Sequence, residues 1–201
     1  MRGDMATVEE GPPGTMKVCS VAPPSIRPTP PTDFLDVLRR WGQTWIWNDL
    51  RVTGGTDWIA HAIADNSLVA VTNGSYIKEH WPELCSAAFV LECTKGQGQL
   101  TGAFAEASVA ANAYCVELLG LMAVHLLLLV VESVSPGLSG SVTIYSNCKG
   151  ALGRVAKLPP YRIPSQCRHL DVLKTIMVNC ASLSFHREYH HVAAHQDNHT
   201  W

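Results

Sequence analysis

Leu68-Val69-Ala70-Val71-Thr72-Asn73-Gly74-Ser75 is the stretch on which the reading of this chain turns. A short apolar, β-branched run that ends in Asn-Gly-Ser has the composition of a strand closing at a turn. Outward from it, Cys85 to Cys93 alternates. Cys85, Ala87, Phe89, Leu91 and Cys93 share one face, and Ser86, Ala88, Val90 and Glu92 the other. Gly96-Gln97-Gly98 then makes a hairpin turn, and Gln99 to Phe104 returns as a third strand. Three strands joined in series form an antiparallel meander. Asn112 caps a long helix that runs to about Glu132 and is apolar nearly all round, which predicts burial. Its most apolar part, Leu118 to Val131, is broken only by His125 and falls short of the roughly 20 residues a membrane span needs, so no membrane partner is expected. Ser141 to Ser146 reads as a fourth strand, and residues 148–157 as a short helix stopped by Leu158-Pro159-Pro160. A helix over 164–180 carries Leu170, Leu173, Ile176 and Met177 on one face, and Ser184 to Val192 is a fifth strand. The order β-β-β-α-β-α-α-β predicts an α/β fold, with helices packed on a mixed five-stranded sheet.

Toward the N-terminus the pattern changes twice. Residues 1–32 hold seven of the twelve prolines and lack apolar periodicity, which predicts a disordered or polyproline-like arm. Residues 33–66 carry Phe34, Leu35, Leu38, Trp41, Trp45 and Leu50 near helical spacing and hold four of the six tryptophans, Trp41, Trp45, Trp47 and Trp58. They are expected as a helical, Trp-rich extension of the domain at 67–201, packed as core rather than stacked on bases; whether they belong to that domain is open. The 201 residues fit one domain plus an extension. With 47% hydrophobic and 16% charged residues the chain can build a core, and a net charge of −2 excludes a generally basic nucleic-acid coat. Seven cysteines without a Cys-x-x-Cys pair exclude a tidy disulfide scaffold. With no long apolar leader, they point to a reducing, intracellular setting.

Sites in open α/β sheets gather at strand ends. Asn73 closes the first strand, Asn147 closes the fourth, Glu117 sits in the first turns of the long helix, and His195 follows the last strand. The surrounding motifs resemble those of ribonuclease H. Val69 to Ser75 resembles the family's opening strand, in which an Asp precedes Gly-Ser. Tyr114-Cys115-Val116-Glu117-Leu118-Leu119-Gly120-Leu121 resembles the helix that carries its catalytic Glu. Ile144 to Leu152 resembles its second Asp motif, and Val192-Ala193-Ala194-His195 its loop His. The likeness covers residues 67–201 and is greatest to the ribonuclease H domains of retroelement reverse transcriptases.

That resemblance implies hydrolysis of the RNA strand of an RNA/DNA hybrid by two Mg²⁺ ions about 3.5–4 Å apart, one activating water and one stabilising the leaving oxygen. It makes Glu117, Asn73 and Asn147 the metal-binding positions, and those three with His195 the catalytic ones. His195 would move a proton as product leaves. The sequence departs from the family pattern. Asn stands at 73 and at 147 where Asp is expected, and the chain stops before the C-terminal helix that carries the last Asp. Glu117 alone remains of the usual four carboxylates. Removing an outer-shell partner typically costs about 10–100-fold in metal affinity, and first-shell charges should cost more. The expectation is an endoribonuclease impaired in catalysis. The alternatives are a non-catalytic nucleic-acid-binding module and a functionless retroelement remnant. The Asn residues suit either a deliberate Asp→Asn exchange, which keeps shape and lets substrate bind uncut, or decay of a retroelement copy.

For the substrate, residues 149–174 set six cations (Lys149, Arg154, Lys157, Arg162, Arg168 and Lys174) against Asp171 alone, a run suited to duplex phosphates. Lys149, Arg154 and Lys157 are the foremost candidates. Gly74 and Ser75 can bring backbone amides close to a ribose, and Asn112 is a further polar contact. The expected partners are an RNA/DNA hybrid or another duplex and a reverse transcriptase domain. Two readings rank lower. His186, His190, His191, His195 and His199 invite a structural zinc, but no paired Cys supports one. Asp197 as a replacement carboxylate is less favoured than a solvated loop Asp.

Overall fold

Period-two alternation of apolar side chains drives the central strands, because each buries one face against a helix and leaves the other open. The computed structural model describes residues 33–41, 44–157, 163 and 167–193, together with the backbone of 6–10 and 16–20. It divides into two units, 1–30 and 31–201.

In the first unit β1 (Ala6–Glu10) and β2 (Met16–Ser20) pair antiparallel, Ala6 opposite Ser20. This differs from the disordered or polyproline-like arm that the proline count predicts. All seven prolines of this region fall outside the two paired segments, so neither lacks a ladder donor.

The second unit contains α1 (Phe34–Arg40), α2 (Thr44–Trp47), β3 (Arg51–Thr53), α3 (Asp57–Ala64), β4 (Leu68–Tyr76), β5 (Leu84–Cys93) and β6 (Gln99–Ala107). After them come α4 (Ala113–Val134), β7 (Ser141–Ser146), α5 (Lys149–Val155), α6 (Leu170–Ser182) and β8 (His186–His191). One sheet has the order β3-β6-β5-β4-β7-β8. The pairs from β3 to β4 are antiparallel, while β4/β7 and β7/β8 are parallel. The sheet therefore has six strands instead of five. The additional strand, β3, is only three residues long, too short to show a period of its own, and forms by pairing Arg51–Thr53 with Gln99–Thr101.

Residues 33–66 share the core of the sheet. Phe34, Val37, Leu38, Ile46, Trp58, Ile59 and Ile63 are buried in one cluster with Leu68, Phe89 and Leu121. Trp45 meets Phe104 edge-on, with ring centroids 5.0 Å apart. Gly98 lies so close to the Trp58 indole that any Cβ there would collide with it. Trp58 is thus a core residue, and Trp41, Trp45 and Trp47 are partly buried against the same cluster.

Helix α4 is the centre of the packing. Asn112 caps it, its side-chain oxygen accepting from the Cys115 N–H at 2.9 Å. The helix is long and apolar enough to cross a membrane, but nearly all of its apolar stretch is covered by protein. Its one interior imidazole, His125, is fully buried and doubly bonded. Nδ1 lies 2.7 Å from the Leu121 carbonyl oxygen and must carry the proton, so Nε2 accepts from the Tyr189 hydroxyl at 2.8 Å. Helix α6 begins only after His169, whose φ of 56° is left-handed, later than the expected start at 164. The two sheet borders differ. β3 is short, and β8 reads His-Arg-Glu-Tyr-His-His.

Candidate functional site

β4 and β7 run parallel, and Thr72 opposite Ser146 is the last pair of their ladder, which sets Asn73 beside Asn147. Asn73 does not close its strand as expected: β4 continues through Asn73-Gly74-Ser75 to Tyr76, held by its pairing with β5, while Asn147 follows the end of β7. Asn147 Nδ2 donates to Asn73 Oδ1 at 3.0 Å. Helix α4 crosses beneath this junction. It can approach because residue 74 is glycine: a Cβ there would stand 2.5 Å from Val116 Cγ1 and 3.0 Å from the Glu117 nitrogen. The close approach lets the Gly74 N–H donate to the Glu117 carboxylate, and the Ser146 hydroxyl donates to Glu117 Oε2 at 3.4 Å. Glu117 is 7% exposed. Burial pushes its carboxyl above the usual carboxylate range, against the opposing pull of these two donors. Behind it Ser146 Oγ accepts from the Cys148 N–H at 3.1 Å. A ring N–H of His191 donates to the Asn147 carbonyl oxygen at 3.1 Å. Positions 73, 117 and 147, far apart in the chain, thus meet where the ladder between the inner strands β4 and β7 ends.

Of the other predicted residues, Ser75 is exposed two positions beyond Asn73 on β4. Asn112 donates to the Ala110 carbonyl at 2.8 Å and lies 3.3 Å from His169 Nε2. It borders a cavity of ≈ 570 Å³ that Ser108, Arg168, His169 and Asp171 also line. Lys149 and Arg154 are exposed on α5, and Lys157 is exposed just after it. Arg162, His195, Asp197 and His199 lie outside the described residues. So does the Arg162-centred part of the cationic run. Among the described residues no group of three or more His, Cys, Asp or Glu could hold a metal ion, and the histidines of β8 form no such set.

The junction does not fit a two-Mg²⁺ cradle. Mg²⁺ wants hard anionic oxygens in octahedral array, and among the described residues two such ions would bring four positive charges to a single carboxylate at the junction, Glu117. Asn73 Oδ1 already accepts a hydrogen bond, and Asn147 aims an N–H donor into the gap that a cation would occupy. The Asn147 carbonyl oxygen Oδ1 is buried without a partner.

Two residues of the site escaped the sequence reading. Ser146 orients both Glu117 and the start of α5. Thr72 is 2% exposed and lies under Gly120 of α4, 3.3 Å from where a Cβ would be. The signal was available. Ser146 shares the buried face of β7 with Val142 and Ile144, and a polar group on an apolar face needs a partner.

No protein-family model matches the chain, and no curated protein sequence does. Solved structures match. The protease-reverse transcriptase of prototype foamy virus is 16% identical over 69% of this chain, with a TM-score of 0.52. A foamy viral protease-reverse transcriptase solved in complex with an RNA/DNA hybrid is 14% identical over 68% of this chain, with a TM-score of 0.48. An N-terminal RNase H domain from Mycobacterium tuberculosis is 12% identical, with a TM-score of 0.45, covering 65% of this chain and 85% of that domain. The aligned part spans 19% of each foamy virus chain. The six-stranded mixed sheet with α4 across its centre, matched by the first of these structures, gives this chain the ribonuclease H-like fold.

Proposed function

We propose that this chain is a nucleic-acid-binding domain of reverse-transcriptase origin that holds an RNA/DNA hybrid without cutting it efficiently. The observation that carries the reading is the Asn147-to-Asn73 hydrogen bond at the very edge where a hydrolytic member of the fold would need anionic oxygens. Glu117 is in place but is held by protein donors. Support for nucleic acid as the ligand comes from the exposed cations Lys149, Arg154 and Lys157, which follow the junction directly in the chain. Ser75, exposed two positions beyond Asn73, is the proposed polar contact to a ribose, the group that separates RNA from DNA, whereas the Gly74 N–H is taken by Glu117. A reverse transcriptase domain is the proposed covalent or docked partner.

The test uses a labelled RNA/DNA hybrid with the full chain and Mg²⁺. The expected result is a gel shift with intact RNA. Loss of the shift, or RNA cleavage that EDTA abolishes, would refute the reading. A variant with Asn73→Asp, Asn147→Asp and an appended Asp-bearing C-terminal helix is expected to cleave. Absence of cleavage by that variant would count against positions 73, 117 and 147 as the ancestral catalytic site.

A further inference from the structure

Apart from the buried Asn147 Oδ1, which has no partner, the polar groups of the junction bond to one another. An amide carries both a donor and an acceptor, so two amides pair in either orientation, whereas two ionised carboxylates are acceptors only and repel each other. Asn147 and Asn73 make such a pair at 3.0 Å, and it extends the join between the parallel strands β4 and β7 one step past their last ladder pair, Thr72 and Ser146. Glu117 is compensated by the Gly74 N–H and the Ser146 hydroxyl. With Asn73 Oδ1 engaged, the amide hydrogens of this exposed side chain are left for a ligand. A site with these properties presents N–H donors to an anionic oxygen, and a hydrogen bond to an ionised acceptor is about twice as strong as one between neutral groups. Carboxylates at the same positions would repel a phosphate unless a cation lay between.

Resting on the reading of the chain as a hybrid-binding domain, we propose that the Asn73–Asn147 amide pair takes the place of a cation bridge. The site then meets a backbone phosphate through hydrogen bonds alone and needs no divalent ion to keep its shape or its ligand.

Two measurements on the full chain test this, at matched ionic strength in EDTA and in millimolar Mg²⁺: the thermal unfolding midpoint, and the affinity for a fluorescent RNA/DNA hybrid by anisotropy. The wild-type chain is expected to show the same midpoint and the same affinity in both buffers. Asn73→Asp keeps an acceptor for Asn147 Nδ2 but removes the outward donor. Its midpoint in EDTA should stay unchanged while its affinity in EDTA falls about tenfold, the equivalent of ~1.4 kcal/mol. Asn73→Asp with Asn147→Asp loses the pair altogether, so its midpoint should drop in EDTA and recover with Mg²⁺. A wild-type midpoint that rises with Mg²⁺, wild-type binding that disappears in EDTA, or Asn73→Asp binding as tightly as wild type in EDTA would each overturn the proposal. If no hybrid binds in either buffer, the hybrid-binding reading falls. The phosphate-contact proposal falls with it, and the midpoints still decide whether the amide pair replaces a cation.

Discussion

Gly74 is the residue on which the junction depends most closely, since it admits β4 to within contact of Val116 and Glu117. Gly74→Ala forces either the strand or the helix to move, and overpacking of this kind typically costs about 1–3 kcal/mol. Urea unfolding should show a lower midpoint with an unchanged slope, because the surface exposed on unfolding is the same. The positions of Glu117 and Asn147 were legible because one occupies an early helix turn and the other follows a strand end, and those places come from periodicity and turn residues. Asn73 was legible as part of its strand, but the turn expected at Asn73-Gly74-Ser75 is absent because pairing with β5 carries β4 on to Tyr76. The bond between the two amides was not legible. It depends on parallel pairing of β4 with β7 in the register Thr72 to Ser146, a tertiary fact that neither strand encodes alone. Ser146 was within reach of the alternation rule, but a serine beside an asparagine at a strand end also reads as turn chemistry.

Among the elements, α4 and β7 were the easiest to read. β7 spans Ser141–Ser146 as expected, and α4 starts immediately after the predicted cap. Asn112→Ala should remove the bond to the Cys115 N–H and lower stability by about 1 kcal/mol, whereas Asn112→Asp should retain it. Equilibrium unfolding followed by circular dichroism checks both. The start of α6 was misjudged because the apolar face from Leu170 onward has no N-terminal boundary signal of its own. The left-handed His169, which marks that boundary, is a backbone fact without a sequence signature. On α5 and just beyond it, Lys149 and Lys157 give a prediction about binding. If each contacts one phosphate, Lys149→Ala and Lys157→Ala should each reduce the slope of log affinity against log salt by about 1. Titrations of hybrid at several salt concentrations measure that slope, and an unchanged slope would remove the residue from the interface.

At the scale of the whole molecule, stability should depend on pH through His125. Complete burial holds its imidazole down to about 4, against an ordinary value of 6.5. The unfolded chain therefore takes up the proton first as the solution is acidified. The stabilising contribution is present in full above pH 6.5 and is lost as pH falls toward 4, by about 3 kcal/mol at most. His125→Leu combined with Tyr189→Phe removes both hydrogen-bonding partners and should flatten this part of the stability curve, as unfolding midpoints across the range would show. The extent of the core was the least legible property at this scale. A Trp-rich helical segment has the same pattern whether it packs on itself or on a neighbour, and only the assembled structure shows Phe34, Ile46 and Trp58 inside the cluster built around α4 and the sheet. The two borders of that sheet bear on behaviour in concentrated solution. One offers three residues of free backbone, and the other carries an ionisable side chain at every position from His186 to His191. Short or charged margins are poor templates for strand addition. The described borders of this sheet are therefore poor templates for joining copies edge to edge, and the same histidines that suggest a metal act there as a barrier to strand addition.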